Sequence, residues 1–221
     1  MEKLYYKALT GSRLLGIHTD KSDIDFVIIS TESAQYWASM RERGEDFFPR
    51  SPAKFIQEVF ETTGVWNAWR IIGVLFTEPV VCTPFSEYLT ANREQLVASN
   101  LKYFGDTVLK YCKKMSEQGN NTYPYGVIFP KRTIYCLIFL NAYIRYATEG
   151  IMFKDAFQIP SELKEFILGI RQGVIPYETQ MQRLNEMLKN AEQVKEFYNK
   201  EPDLETFYRI KNEMKSLLDI N

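Results

Sequence analysis

The chain has 221 residues, 45% hydrophobic and 25% charged, with a formal net charge of −1 and a pI near 6.0. That length supports one large domain or two small ones with real cores. The balanced charge gives no global reason to bind nucleic acid or an anionic membrane, and leaves only a local basic patch open.

In chain order, the first half alternates short β-like runs with helix-like stretches. A short stretch ending in Leu9-Thr10 meets Gly11-Ser12, which opens "RLLG". "DIDFVIIS" is β-branched and apolar and predicts a strand. "EDFFPR" is a weaker strand candidate, and "EPVVCTP", bounded by prolines, is another. Between them "PAKFIQEVFETT" places Phe55, Ile56, Val59 and Phe60 at helical spacing after Pro52.

After Ser86 the pattern turns helical. Leu96, Val97, Leu101, Phe104, Val108, Leu109 and Cys112 keep an amphipathic period, with a break expected near Gly105. "SEQGNNTYPYG" is a polar loop, and an apolar helix from about Arg132 to Thr148 ends at Gly150. "PSELKEFILGIRQG" and "PYETQMQRLNEMLKNAEQVKEFYNK" predict two more helices, the first with Ser161 as a candidate cap, and "DLETFYRIKNEMKSLLDI" closes the series. The expected division is 1–86 as an α/β core and 87–221 as a helical region packed on it. Lysines and arginines collect in the helical half at Lys102, Lys110, Lys113, Lys114, Lys131, Arg132 and Arg145, as a solvated face or as a binding patch.

Several classes drop out. His18 is the only histidine, which removes HExxH and multi-His metal sites; it reads as a loop residue. Cys82, Cys112 and Cys136 are scattered without a CxxC and read as reduced thiols packed like small hydrophobes. "MEKLYYKALTGS" lacks the apolar core of a signal peptide, and the longest apolar run, Thr133 to Ile144, is shorter than a bilayer span and contains Asn141. A cytoplasmic chain with no membrane partner is the expectation.

The informative stretch is "TGSRLLGIHTDKSDIDFVII". Gly11 lets the backbone approach a ligand closely, and Ser12 offers a hydroxyl and an N–H near a helix start, where phosphate is favoured. Alone, the pair reads equally as a helix cap. Asp23 and Asp25, two residues apart at a strand, are expected to aim both carboxylates at one point. Like charges that close need a cation between them, and Mg²⁺ takes hard carboxylate oxygens together with phosphate oxygens. A D-x-D alone also fits a solvent-exposed turn or a metal-dependent glycosyltransferase.

Taken together, G-S-R, Gly16 and S-D-x-D leading into an apolar strand resemble the nucleotidyltransferase superfamily typified by DNA polymerase β. Within it the chain is similar to the RlaP-related family linked to RNA repair operons. Asp46 is followed eight residues later by Lys54-Phe55, Pro130-Lys131 opens an apolar helix ending in Gly150, and "GIRQG" spans Gly169 to Gly173. The chain departs from that family in "ETTGVWNAWRII", which lacks an Asn-Pro, and in "KRTIYCLIFL", which has no histidine.

The resemblance implies an α+β fold: a small mixed β-sheet nucleotidyltransferase core with flanking helices, then a helical C-terminal half. It implies a triphosphate on Gly11 and Ser12, helped by Arg13, and two Mg²⁺ or Mn²⁺ ions on Asp23 and Asp25. Asp46 is the third acid and base, with Glu45 and Glu78 as competitors. Lys131 and Arg132 are either phosphate or base contacts or a surface pair at a helix start. The implied reaction moves a nucleoside monophosphate from an NTP to an acceptor hydroxyl, with RNA (a tRNA end) first. A protein hydroxyl, as in AMPylating or toxin–antitoxin relatives, comes second and a small alcohol third. A catalytically silent nucleotide-binding module is the alternative of another class. Oligomeric state is open.

Overall fold

The computed structural model describes residues 3–18, 20–42, 44–60, 77–99, 101–117, 129–197 and 201–220. Its elements are β1 (Leu4–Thr10), α1 (Gly11–Leu14), β2 (Ile24–Ser30), α2 (Ala34–Ser39), β3 (Glu45–Arg50), α3 (Pro52–Phe60), α4 (Pro84–Ala98), α5 (Leu101–Glu117), α6 (Phe129–Glu149), α7 (Phe153–Ala156), α8 (Ser161–Gln172), α9 (Tyr177–Phe197) and α10 (Leu204–Leu217). The fold is α+β, a three-stranded sheet followed by a helical half. The strand order is β1-β2-β3, with β2 antiparallel to β1 and parallel to β3.

Register sorts the sheet into two faces. Tyr6, Ala8 and Thr10 pair with Ile29, Val27 and Asp25, which pair in turn with Arg50, Phe48 and Asp46. This face carries the core: Phe85 of α4 meets Tyr6 edge-on at 6.3 Å and Phe55 of α3 at 5.7 Å. Arg50 at its far end bonds the buried Glu58 of α3, Nε to Oε2, at 2.9 Å. The other face holds Phe26 and Phe47 with the Lys7 ammonium over their rings, 4.4 and 4.9 Å from the centroids. Trp37 of α2 closes that face, edge-on to Phe47 and donating its indole N–H to Ser30 Oγ at 2.8 Å.

Contacts divide the chain into two units, Met1–Ser99 with Asp203–Asn221, and Asn100–Pro202. This differs from the expected boundary after residue 86, and packing explains why. Phe85 and Leu89 of α4 are buried in the first unit, Phe207 of α10 meets Phe60 of α3 at 5.1 Å, and the Asp203 N–H donates to the Ser99 carbonyl at 2.8 Å. In the second unit α5, α6 and α9 pack against one another, and α7 and α8 lie on α6. The apolar run from Thr133 to Ile144 is the buried middle of α6, as its composition predicts. Among the described residues no helix is long and apolar enough to cross a membrane.

Other expectations need correction. "EPVVCTP" is not a strand: Ala8 forms a single bridge to Pro79, and Val80 N–H donates to the Lys7 carbonyl at 2.7 Å. The prolines deny that stretch the donors a ladder needs. The helical break falls at Ser99, between α4 and α5, rather than at Gly105. Gly105 lies inside α5, and the glycine there makes room for a neighbour, since a Cβ would come 2.6 Å from the Tyr143 ring of α6. The N-cap of α8 is Pro160, without a side-chain bond, rather than Ser161. Cys82 is exposed and donates to Glu87 Oε1 at 3.0 Å, whereas Cys112 and Cys136 are buried thiols. "ETTGVWNAWRII" and most of "SEQGNNTYPYG" lie outside the described residues.

Candidate active site

β1 runs directly into α1. Gly11 takes φ +71°, a left-handed conformation that side chains disfavour, and the chain then makes one helical turn. Leu15 N–H returns to the Gly11 carbonyl at 3.3 Å and Ile17 N–H to the Ser12 carbonyl at 3.0 Å. Arg13 reaches forward along the chain: Nη2 donates to the Ser22 carbonyl at 2.8 Å, while its Nε is buried without a hydrogen-bond partner. The guanidinium thus clips the segment between α1 and β2 just before Asp23.

Asp23 is exposed and precedes β2, and Asp25 is the strand's second residue. A Cβ built on Gly11 would lie 1.9 Å from Asp25 Oδ2. The Asp25 carboxylate therefore rests against the turn, in space that only glycine leaves. Asp46, the second residue of β3, is the register partner of Asp25. Neighbouring strands lie about 4.8 Å apart, so the two acids start side by side on one face.

A pocket of about 450 Å³ is lined by Asp23, Arg41, Glu42, Gly44, Glu45 and Asp46. The turn before β3 is fixed by Gly44, at φ +87°, whose carbonyl accepts from Ile24 N–H at 2.7 Å. Arg41 Nη1 bonds Asp46 Oδ1 at 2.6 Å.

Comparison with protein-family models, curated proteins and solved structures found no match.

The structure brings together Gly11 with Asp25, Asp25 with Asp46 by register, and Asp23 with Asp46 around one pocket. It does not gather the acids about one point: among the described residues no group of three or more His, Cys, Asp and Glu side chains is placed to hold a metal ion. Arg13, expected to help with phosphate, is turned to Ser22. Lys131 is exposed near the start of α6, in the second unit. Of the competitors for Asp46, Glu45 lines the pocket and Glu78 pairs with the buried Arg93 at 3.1 Å. Sequence reasoning missed Arg41. Its local signal is one of the two arginines in "RERGED", and its link to Asp46 depends on the fold of that turn.

The donors suit a hard cation in kind, since Mg²⁺ takes carboxylate oxygens. The space Gly11 leaves for Asp25 places one such oxygen against the turn. Arg41 holds one oxygen of Asp46, Oδ1.

Proposed function

We propose that the chain is a metal-dependent nucleotidyltransferase that moves a nucleoside monophosphate from an NTP to an acceptor hydroxyl and releases pyrophosphate. The observation that carries this reading is the approach of the Asp25 carboxylate to Gly11, which puts an acid against the one residue of the turn that has no side chain. In this reading the Gly11-Ser12 backbone and the Ser12 hydroxyl hold the triphosphate, with Asp23, Asp25 and Asp46 toward its metal. Mg²⁺, when bound there, neutralises the phosphates and makes the attacking hydroxyl more acidic. The acceptor oxygen bonds the α-phosphorus, the bond to pyrophosphate breaks, and an Asp46 oxygen freed from Arg41 takes the proton. The chain's part is positioning and charge.

An RNA 3′ end, a tRNA above all, is the acceptor we favour. With a net charge of −1, a compact end-recognising site fits better than a long track, because affinity along nucleic acid comes mainly from phosphate neutralisation. The test incubates the protein with each α-labelled NTP, Mg²⁺ and either total RNA or cell protein, beside Asp23→Ala/Asp25→Ala. Label on RNA, lost in the variant, is the expected result. Label on protein would move the acceptor to a protein hydroxyl. No transfer, together with no Mg²⁺-dependent NTP binding, would overturn the reading. Binding without transfer would leave a silent nucleotide-binding module.

A further inference from the structure

We propose that Arg41 is a placeholder cation that holds Asp46 and competes with the divalent ion for it. The inference rests on the nucleotidyltransferase reading and adds a residue to it. Among the described residues, four carboxylates, Asp23, Glu42, Glu45 and Asp46, line the pocket together with the cation of Arg41. Its Nη1 bonds Asp46 Oδ1 at 2.6 Å.

Two features make this contact exchangeable. The Arg41 and Asp46 side chains are 55% and 39% exposed, and ion pairs reached by solvent are weak. Arg41 also stands between α2 and β3, outside either element, so its departure breaks no ladder or helix bond. The pair nonetheless masks the acid that is the register partner of Asp25. A guanidinium on one oxygen repels a divalent ion approaching it. Metal capture at Asp46 Oδ1 therefore competes with Arg41. Withdrawal leaves a cation beside the pocket for the incoming phosphates.

The test measures Mn²⁺ affinity without nucleotide, by electron paramagnetic resonance of free Mn²⁺, for the full chain and for Arg41→Ala, Arg41→Lys, Asp46→Asn and Arg41→Ala/Asp46→Asn. Circular dichroism establishes that each variant is folded. Arg41→Ala is expected to tighten Mn²⁺ binding on the order of tenfold, Arg41→Lys by less, and the gain is expected to vanish in the Asp46→Asn background. If the unaltered chain and Arg41→Ala bind Mn²⁺ equally, the placeholder role falls and the metal site stands. An equal gain with and without Asp46 would make the effect one of general charge and overturn the role. No Mn²⁺ bound by any variant would overturn both the role and the metal-dependent reading.

Discussion

The Asp25 carboxylate lies where a side chain on residue 11 would begin, with Oδ2 only 1.9 Å from the position of a Gly11 Cβ. This fixes the identity of residue 11 twice, through the left-handed φ of +71° and through the contact itself.

Gly11→Ala is accordingly expected to displace Asp25 as well as strain the turn. The conformational part alone costs about 1–2 kcal/mol. Thermal unfolding should show the loss, and calorimetric titration of MgATP should show binding abolished in a variant that remains folded. A Gly11→Ala chain that binds MgATP normally would mean that the turn and the acid act separately.

Arg13 gives a second outcome. A hydrogen bond from a charged donor contributes about 1.5–3 kcal/mol, and that from Arg13 to the Ser22 carbonyl holds the segment leading into Asp23. Arg13→Ala should raise amide exchange over residues 16–18 and 20–23 and lower kcat more than it raises KM for the nucleotide. A rise in KM alone, with exchange unchanged, would return Arg13 to the phosphate role the sequence suggested.

Glu58 tests the sheet's far end. Its side chain is 4% exposed and meets Arg50, itself 19% exposed. Removing one partner of such a pair strands the other, so Glu58→Ala should cost about 3 kcal/mol. The urea midpoint should fall at pH 7, and a double Arg50→Met/Glu58→Leu variant should recover much of the loss.

In the second unit, Gly105→Ala should have the opposite sign to the usual helical substitution. Alanine ordinarily favours a helix over glycine by about 1 kcal/mol. At this position its methyl would meet the Tyr143 ring at 2.6 Å, and overpacking of that kind costs about 1–3 kcal/mol. A lowered Tm is the expected reading.

Acid should weaken two joints of the first unit. Asp203 accepts from the Thr206 N–H as the N-cap of α10, and that bond holds its carboxyl below the usual range. Asp219 is held down by Lys3 and Tyr5, chiefly through the hydrogen bond from Lys3. A folded pKa depressed below the unfolded value of about 3.9 contributes stability above that pH and loses it as pH falls through the folded pKa. Asp203→Asn and Asp219→Asn should therefore lower the Tm at pH 7, with the difference from the unaltered chain closing below about pH 4.

Local chemistry made β2 and β3 legible, because "DIDFVIIS" and "EDFFPR" show their strand character within a few residues. β1 was not, since "LYYKALT" carries Lys7 in its middle, and only the distant partners Phe26 and Phe47 give that cation a face to lie on. The family resemblance singled out Asp46, and strand pairing set it beside Asp25. The Arg41 contact was beyond reach, because the geometry of the turn decides which acid a neighbouring arginine meets. The helical break was misplaced for a similar reason: Gly105 answers to Tyr143, thirty-eight residues away in sequence, rather than to its own helix.

The bond from Asp203 N–H to the Ser99 carbonyl has a consequence for the order of events on the ribosome. The sheet-bearing unit is split in sequence, with 100–202 between its two parts. Phe207, Ile210 and Met214, buried in α10, emerge more than a hundred residues after α3 and α4, the helices that α10 packs against. The helical unit can fold during synthesis, while the sheet unit waits, its α3–α4 side uncovered, until the last helix leaves the exit tunnel.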